Sequence, residues 1–204
     1  MEPLKELFPL NPGLTREVND ASTNKELPEN TVILREGQYI TVIPVVLQGL
    51  IKVFTRHEDR ELLLYYIRPN ESCIMSFSAG LRREPSKVFA VTEEDTSVLL
   101  LPVDRVRQWT KEYPDINSLF FQQYNLRYME LLGTIHDVLF EKMDKRLYDY
   151  LKEKIILTNS NPLKISHRKI AGDMGTAREV ISRVMKKLEN EGKIKQHSNS
   201  IELL

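Results

Sequence analysis

Arg178, Glu179, Ser182 and Arg183 are the residues of this chain whose types and spacing could do chemistry. In a helix, offsets of three and four place Glu179, Ser182 and Arg183 on one face. Those groups suit the edges of nucleic-acid bases. The Arg183 guanidinium can fork onto the O6 and N7 of guanine, and the Glu179 carboxylate can accept from the N4 amino group of cytosine. Arg178 could reach a phosphate or a second guanine, while Ser182 is short enough to meet a base edge or a thymine methyl. Thr176, Lys186 and Lys195 complete the set of candidate DNA contacts. Glu179 has a second reading as well. Thr176-Ala-Arg-Glu179 has the form of a capping box, whose carboxylate turns back to the Thr176 amide, and sequence leaves the two open.

The stretch that must position these side chains reads PLKISHRKIAGDMGTAREVISRVMKKLENEGKIKQHSNSIELL from Pro162 to the C-terminus. Counting His167 as position one, Ala171 falls at five, Gly175 at nine and Ile181 at fifteen. A small residue at five lets two helices cross closely, and glycine at nine supplies the positive φ of a tight interhelical turn. Ile181 plugs the space between the helices, joined by Ile170, Met174 and Val184. Ser166 and Thr176 stand where N-caps belong, which predicts a second helix over Thr176 to Glu189. Gly192 then ends it, and short strands over Lys193–Gln196 and Ser200–Leu203 flank the turn His197-Ser198-Asn199. That is a helix-turn-helix with a wing. Lys193, Lys195 and His197 would lie where a wing crosses a phosphate backbone, although each could equally be ordinary surface charge.

The net charge of zero hides a division. From Lys142 onward there are 14 Lys+Arg against 8 Asp+Glu, or +6; from Met1 to Glu141 there are 15 against 21, or −6. A basic C-terminal module on an acidic body is the electrostatic pattern of a DNA reader with a separate domain. One cysteine, Cys73, cannot build a disulfide framework, a zinc cluster or a cysteine-ligated iron–sulfur centre within one chain. The N-terminus has no basic-then-apolar signal and no apolar run is long enough for a membrane, so a cytoplasmic, membrane-free protein is expected.

Ahead of the basic module, Glu2–Phe8 and Gly13–Ala21 read as short helices. Between Leu27 and Pro102, brief apolar runs alternate with turn signals such as Arg35-Glu-Gly37 and Gln48-Gly49, the pattern of an antiparallel sandwich or barrel. A short helix, Asp104–Glu112, follows. A long helix from about Pro114 to Glu141 carries Phe121, Tyr124, Tyr128, Leu131, Ile135 and Val138 alternately three and four apart, a heptad seam. Either the seam meets the same helix of a second subunit, or the helix is buried on both sides within one chain. Asp144 would cap the next helix, Lys145–Leu157. The expected organisation is thus α+β, in three parts: a β-rich domain over 1–113, a dimerisation helix over 114–141 and a winged helix over 142–204.

This order of parts resembles the Crp/Fnr family, that of the cAMP receptor protein and the fumarate–nitrate reduction regulator. The residues that carry the resemblance are Gly175-Thr-Ala-Arg-Glu-Val-Ile-Ser-Arg183 and Leu188-Glu-Asn-Glu-Gly192-Lys-Ile194, with Gln48-Gly49-Leu-Ile-Lys-Val-Phe54 and Pro69-Asn-Glu71 in the β part. The resemblance implies a cyclic-nucleotide-binding-like β-roll and a homodimer on a palindromic TTGA/TGTGA-like operator. Glu179 and Arg183 take the reading positions, and RNA polymerase is the implied protein partner. The sensor departs from the family pattern. Where cyclic-nucleotide binders have a Gly-Glu pair and then Arg with a small residue, this chain reads Ile74-Met75-Ser76 and Pro85-Ser86-Lys87. The ribose carboxylate and the arginine fork are missing, and a lysine does not reproduce bidentate phosphate binding. cAMP is therefore not the expected effector, and any other effector would be sought near Ile74, Met75, Ser76 and Lys87. No resident cofactor or metal is expected.

Three other readings compete. A haem or other small-molecule sensor could draw ligands from His57, Cys73, Met75 or His136. A metal oxygenase on the β part would need clustered histidines, but His57, His136, His167 and His197 are scattered, so an enzyme is not expected. A regulatory subunit whose helix-turn-helix contacts only protein would lack a reason for the basic charge.

Overall fold

The structure, a computed structural model, describes residues 11–57 and 60–204, and only the backbone of Arg60, Asp115 and residues 137–140. The helix expected over Glu2–Phe8 and the side chain of Val138 lie outside it. Chain contacts divide the protein into two compact units: residues up to Thr55 with Leu64–Leu131, and Arg56–Leu63 with Leu132–Leu204.

The first unit opens with α1 (Pro12–Ala21), whose N-cap Asn11 accepts from the amides of Gly13 and Leu14. Strands β1 (Thr23–Leu27), β2 (Val32–Leu34), β3 (Val42–Gln48), β4 (Ile51–His57), β5 (Arg60–Ile67), β6 (Phe89–Thr92) and β7 (Thr96–Pro102) form two sheets, ordered β1-β7-β3 and β2-β6-β4-β5, with the end of β4 from Arg56 and the start of β5 up to Leu63 counted in the second unit. β7 pairs antiparallel with β1 and β3, and β6 pairs antiparallel with β2 and β4. The Gln48-Gly49 turn needs its glycine: φ is +94°, and a Cβ there would lie 2.7 Å from the Asp95 carbonyl oxygen. Helices α2 (Ile74–Arg82) and α3 (Val103–Glu112) complete the unit together with the first part of α4 (Asp115–Phe140). Two apolar clusters fill it. One gathers Ile43, Leu101, Val106 and Trp109 with Ile116 and Phe120 of α4; the other gathers Val46, Ile51, Val53, Ile67, Cys73 and Val98.

α4 therefore turns one face inward. Ile116, Phe120 and Arg127 are buried, and Phe120 stacks on Phe77. Along the expected seam, Phe121, Tyr124, Tyr128, Leu131 and Ile135 are 42–76% exposed. Within the single chain, the alternative of a helix buried on both sides is overturned.

The second unit contains α5 (Met143–Thr158), α6 (His167–Asp173), α7 (Arg178–Asn190), and the hairpin of β8 (Ile194–Gln196) and β9 (Ile201–Leu203). Leu147 and Leu151 of α5, Ile170 and Ala171 of α6, Ile181, Val184, Met185 and Leu188 of α7, and Ile194 and Ile201 of the hairpin share one core. Asp144 does not cap α5. The cap position is Lys142, without a side-chain bond, and Asp144 sits in the first turn, paired with Lys187 of α7. A bond from the Tyr150 hydroxyl to buried Asp173, 2.7 Å, ties α5 to α6. No helix among the described residues is long and apolar enough to cross a membrane.

Candidate nucleic-acid interface

The two helices that frame the candidate site are set by local chemistry. Ser166 caps α6 by accepting from the Lys169 amide at 3.2 Å. The turn then closes with bonds from Gly175 to the Gly172 carbonyl and from Thr176 to the Ala171 carbonyl, while Gly175 takes φ +63°. α7 begins later than the spacing suggests. Its first residue is Arg178 and its N-cap is Ala177, which offers no side-chain bond. Thr176 is therefore not a cap, and the capping-box reading of Glu179 is overturned. The carboxylate still lies in the first turn, where the helix dipole favours negative charge.

Burial of Ile181, Val184, Met185 and Leu188 fixes which side of α7 faces outward. Arg178, Glu179, Arg183 and Lys186 are exposed, and none has a hydrogen-bond or ion-pair partner among the described residues. They form one row of charged groups that no other described residue engages. Ser182 differs. It is half-buried, and its Oγ lies 2.9 Å from Nδ1 of His167. His167 Nε2 is in turn 3.1 Å from Oε1 of Gln196. Glu189 accepts from the Gln196 backbone amide at 2.7 Å and from its side-chain amide at 2.9 Å, and these bonds hold the Glu189 carboxyl below its usual range. This network joins α6, α7 and the wing. The network of His167, Gln196 and Glu189 carried no signal in the sequence, because the three elements meet only in the fold.

The wing is also more selective than its composition suggests. Lys193 pairs with Glu191 at 2.8 Å, and His197 with Glu202 at 2.9 Å. Lys195 is exposed and without a partner among the described residues. Gly192, at φ +69°, provides the reversal between α7 and the wing.

In the first unit, Ile74 and Ser76 are buried in the opening turn of α2, Met75 is half-buried and Lys87 is exposed. The Cys73 sulfur caps that helix by accepting from the Ser76 amide. The most prominent polar group nearby is one the sequence did not flag. Arg127 of α4 is buried, pairs with Glu71 and with Glu130 (2.6 Å), and lies over the Tyr65 ring at 4.7 Å.

Residues 145–204 match the Crp-like helix-turn-helix domain, and residues 24–113 match the cyclic nucleotide-binding domain, together well over half of the chain. The cAMP-activated global transcriptional regulator CRP of Haemophilus influenzae is 22% identical over 183 residues, covering 85% of this chain and 80% of that protein. The CRP-like protein Clp of Xanthomonas euvesicatoria is 21% identical over 194 residues, covering 89% and 84%. Among solved structures, a transcriptional regulator of the Crp/Fnr family from Eubacterium rectale aligns with a TM-score of 0.89 at 23% identity, over 100% of this chain and 95% of that one. The c-di-GMP responsive global regulator CLP of Xanthomonas campestris aligns with a TM-score of 0.82 at 19% identity, over 95% and 99%. With its helix-turn-helix, wing and β-roll all accounted for, the chain belongs to the Crp/Fnr family of DNA-binding transcription regulators.

Proposed function

We propose that the protein binds a palindromic TTGA/TGTGA-like operator as a homodimer. Each subunit lays the start of α7 in a major groove, with Glu179 and Arg183 on base edges. Arg178, Lys186 and Lys195, with Thr176 at the turn, meet phosphates or flanking edges. The observation that carries this reading is the exposed, uncommitted row Arg178, Glu179, Arg183 and Lys186 on a helix whose opposite side is fully packed. Base contacts specify and phosphate contacts position, and such a row offers both.

The seam of Phe121, Tyr124, Tyr128, Leu131 and Ile135 supports the dimer, since a contiguous apolar strip of this kind marks a protein interface. A twofold axis would set two α7 helices about 34 Å apart, one turn of DNA. For the effector we propose a ligand other than cAMP, received near Ile74, Met75, Ser76 and Lys87. Glu71, the carboxylate of the Pro69-Asn-Glu71 turn, is already paired with Arg127, and Lys87 is a point charge at the surface.

A gel shift in rising salt, on a TTGA palindrome and on a scrambled duplex, tests the reading. The palindrome is expected to be held more tightly at every salt concentration, with both affinities falling as salt rises. Equal affinity for the two duplexes would sink it. Calorimetric titration with cAMP is expected to show no binding.

A further inference from the structure

The polar chain that ends on Ser182 has a direction. The Glu189 carboxylate only accepts, so the side-chain nitrogen of Gln196 must face it, leaving the amide oxygen toward His167 Nε2. That oxygen only accepts as well, so Nε2 carries the ring proton. In the neutral imidazole Nδ1 is then a bare lone pair, and the Ser182 hydroxyl, 2.9 Å away, must donate to it. All three protons point from Ser182 toward Glu189.

We infer that His167 is a specificity-determining positioning residue that presents Ser182 to DNA as a hydrogen-bond acceptor only. A free serine hydroxyl rotates to suit either kind of partner and so distinguishes little. With its proton committed, Ser182 retains only lone pairs for an incoming base. In the major groove the amino groups of adenine and cytosine donate, whereas N7, O6 and O4 accept. The base pair preferred opposite Ser182 is therefore the one that sets an amino group, rather than one of those acceptors, against its oxygen. The inference rests on the base-reading face proposed above.

The test measures relative affinity for every base pair at every half-site position, by competition gel shift, for the wild type and a set of variants. His167→Phe keeps a ring but has no nitrogen to accept the proton. It is expected to flatten the preference at one base pair by about threefold to tenfold, the span of one neutral hydrogen bond. Ser182→Ala should flatten the same pair, and the double variant should match Ser182→Ala alone. His167→Asn, whose amide oxygen can stand near the place of Nδ1, should restore the preference. A His167→Phe protein that loses affinity equally on all sequences, or keeps every preference, overturns the inference, as does His167→Asn behaving like His167→Phe. If His167→Phe does not fold, Glu189→Gln frees the Gln196 amide to turn over and must weaken the same pair; an unchanged preference overturns the inference. If Ser182→Ala alters no pair while Arg183→Ala alters one, the acceptor role fails and the base-reading face stands. If Arg183→Ala and Glu179→Gln alter none either, the face itself fails.

Discussion

Arg127 holds its charge at 2% exposure because two carboxylates share it and an aromatic ring covers it. Such a cluster is costly to break from one side, since the remaining partner keeps an uncompensated charge. Glu71 and Glu130 retain some contact with water, so the cost falls at the lower end of the range for buried pairs. Arg127→Ala is expected to destabilise the first unit by about 3 kcal/mol in urea unfolding. Tyr65 beside it differs in kind. Burial, with the Cys73 thiol beside it adding to the effect, pushes the phenol well above its ordinary value, and its hydroxyl makes no well-formed hydrogen bond among the described residues. The folded state thus holds the phenolic proton more tightly than the unfolded chain does. Its stabilisation is complete below the ordinary phenol value and is lost as pH rises through the raised one. Tyr65→Phe should therefore leave neutral stability unchanged or slightly higher and make alkaline unfolding less steep. An unaltered alkaline limb would show that Tyr65 does not titrate in that transition.

At the scale of elements, the helix-turn-helix was legible because its constraints are local. Ser166, Ala171, Gly175 and Ile181 each act within a turn or two of their own position, and the fold uses all four as their spacing implies. Thr176 shows the limit. The pattern of a capping box was present, but the tight turn carries the chain past Thr176 before the helix begins at Arg178. Arg127 was invisible for a related reason: heptad reading follows apolar residues, and its partner Glu71 lies 56 residues away. The segment Ile74–Ser76 was placed beside a ligand by resemblance, whereas the fold also uses it to start α2. The turn itself can be tested. Gly175→Ala forces a side chain into left-handed backbone and is expected to cost about 1–2 kcal/mol, read as a lower urea midpoint. No change would mean that the turn relaxes to another conformation.

For the whole molecule, the division of charge and the exposed seam lead to linked expectations about DNA. On the proposed reading, the +6 of the C-terminal part would supply affinity that does not depend on sequence, whereas Glu179 and Arg183 would supply preference. Lys186→Gln should lower the salt slope by about 1 per subunit while leaving preference unaltered, and Arg183→Ala should cost about 1–3 kcal/mol on the operator and relax one position. Neither change should affect the oligomeric state, because both residues lie on α7, far along the chain from the seam. Tyr128→Glu addresses the seam directly. A twofold axis passing near this residue would bring two copies together, so one substitution places like charges across the interface and removes apolar contact from both sides. Because Tyr128 is exposed in the single chain, the subunit should still fold, with unchanged far-ultraviolet dichroism. Sedimentation is expected to show the monomer mass, and affinity for the palindrome should fall to that for an isolated half-site. The salt slope should halve with it, since only one α7 then neutralises phosphates. A Tyr128→Glu protein that still sediments as a dimer and binds the palindrome with the full slope would place the twofold contact elsewhere on the molecule.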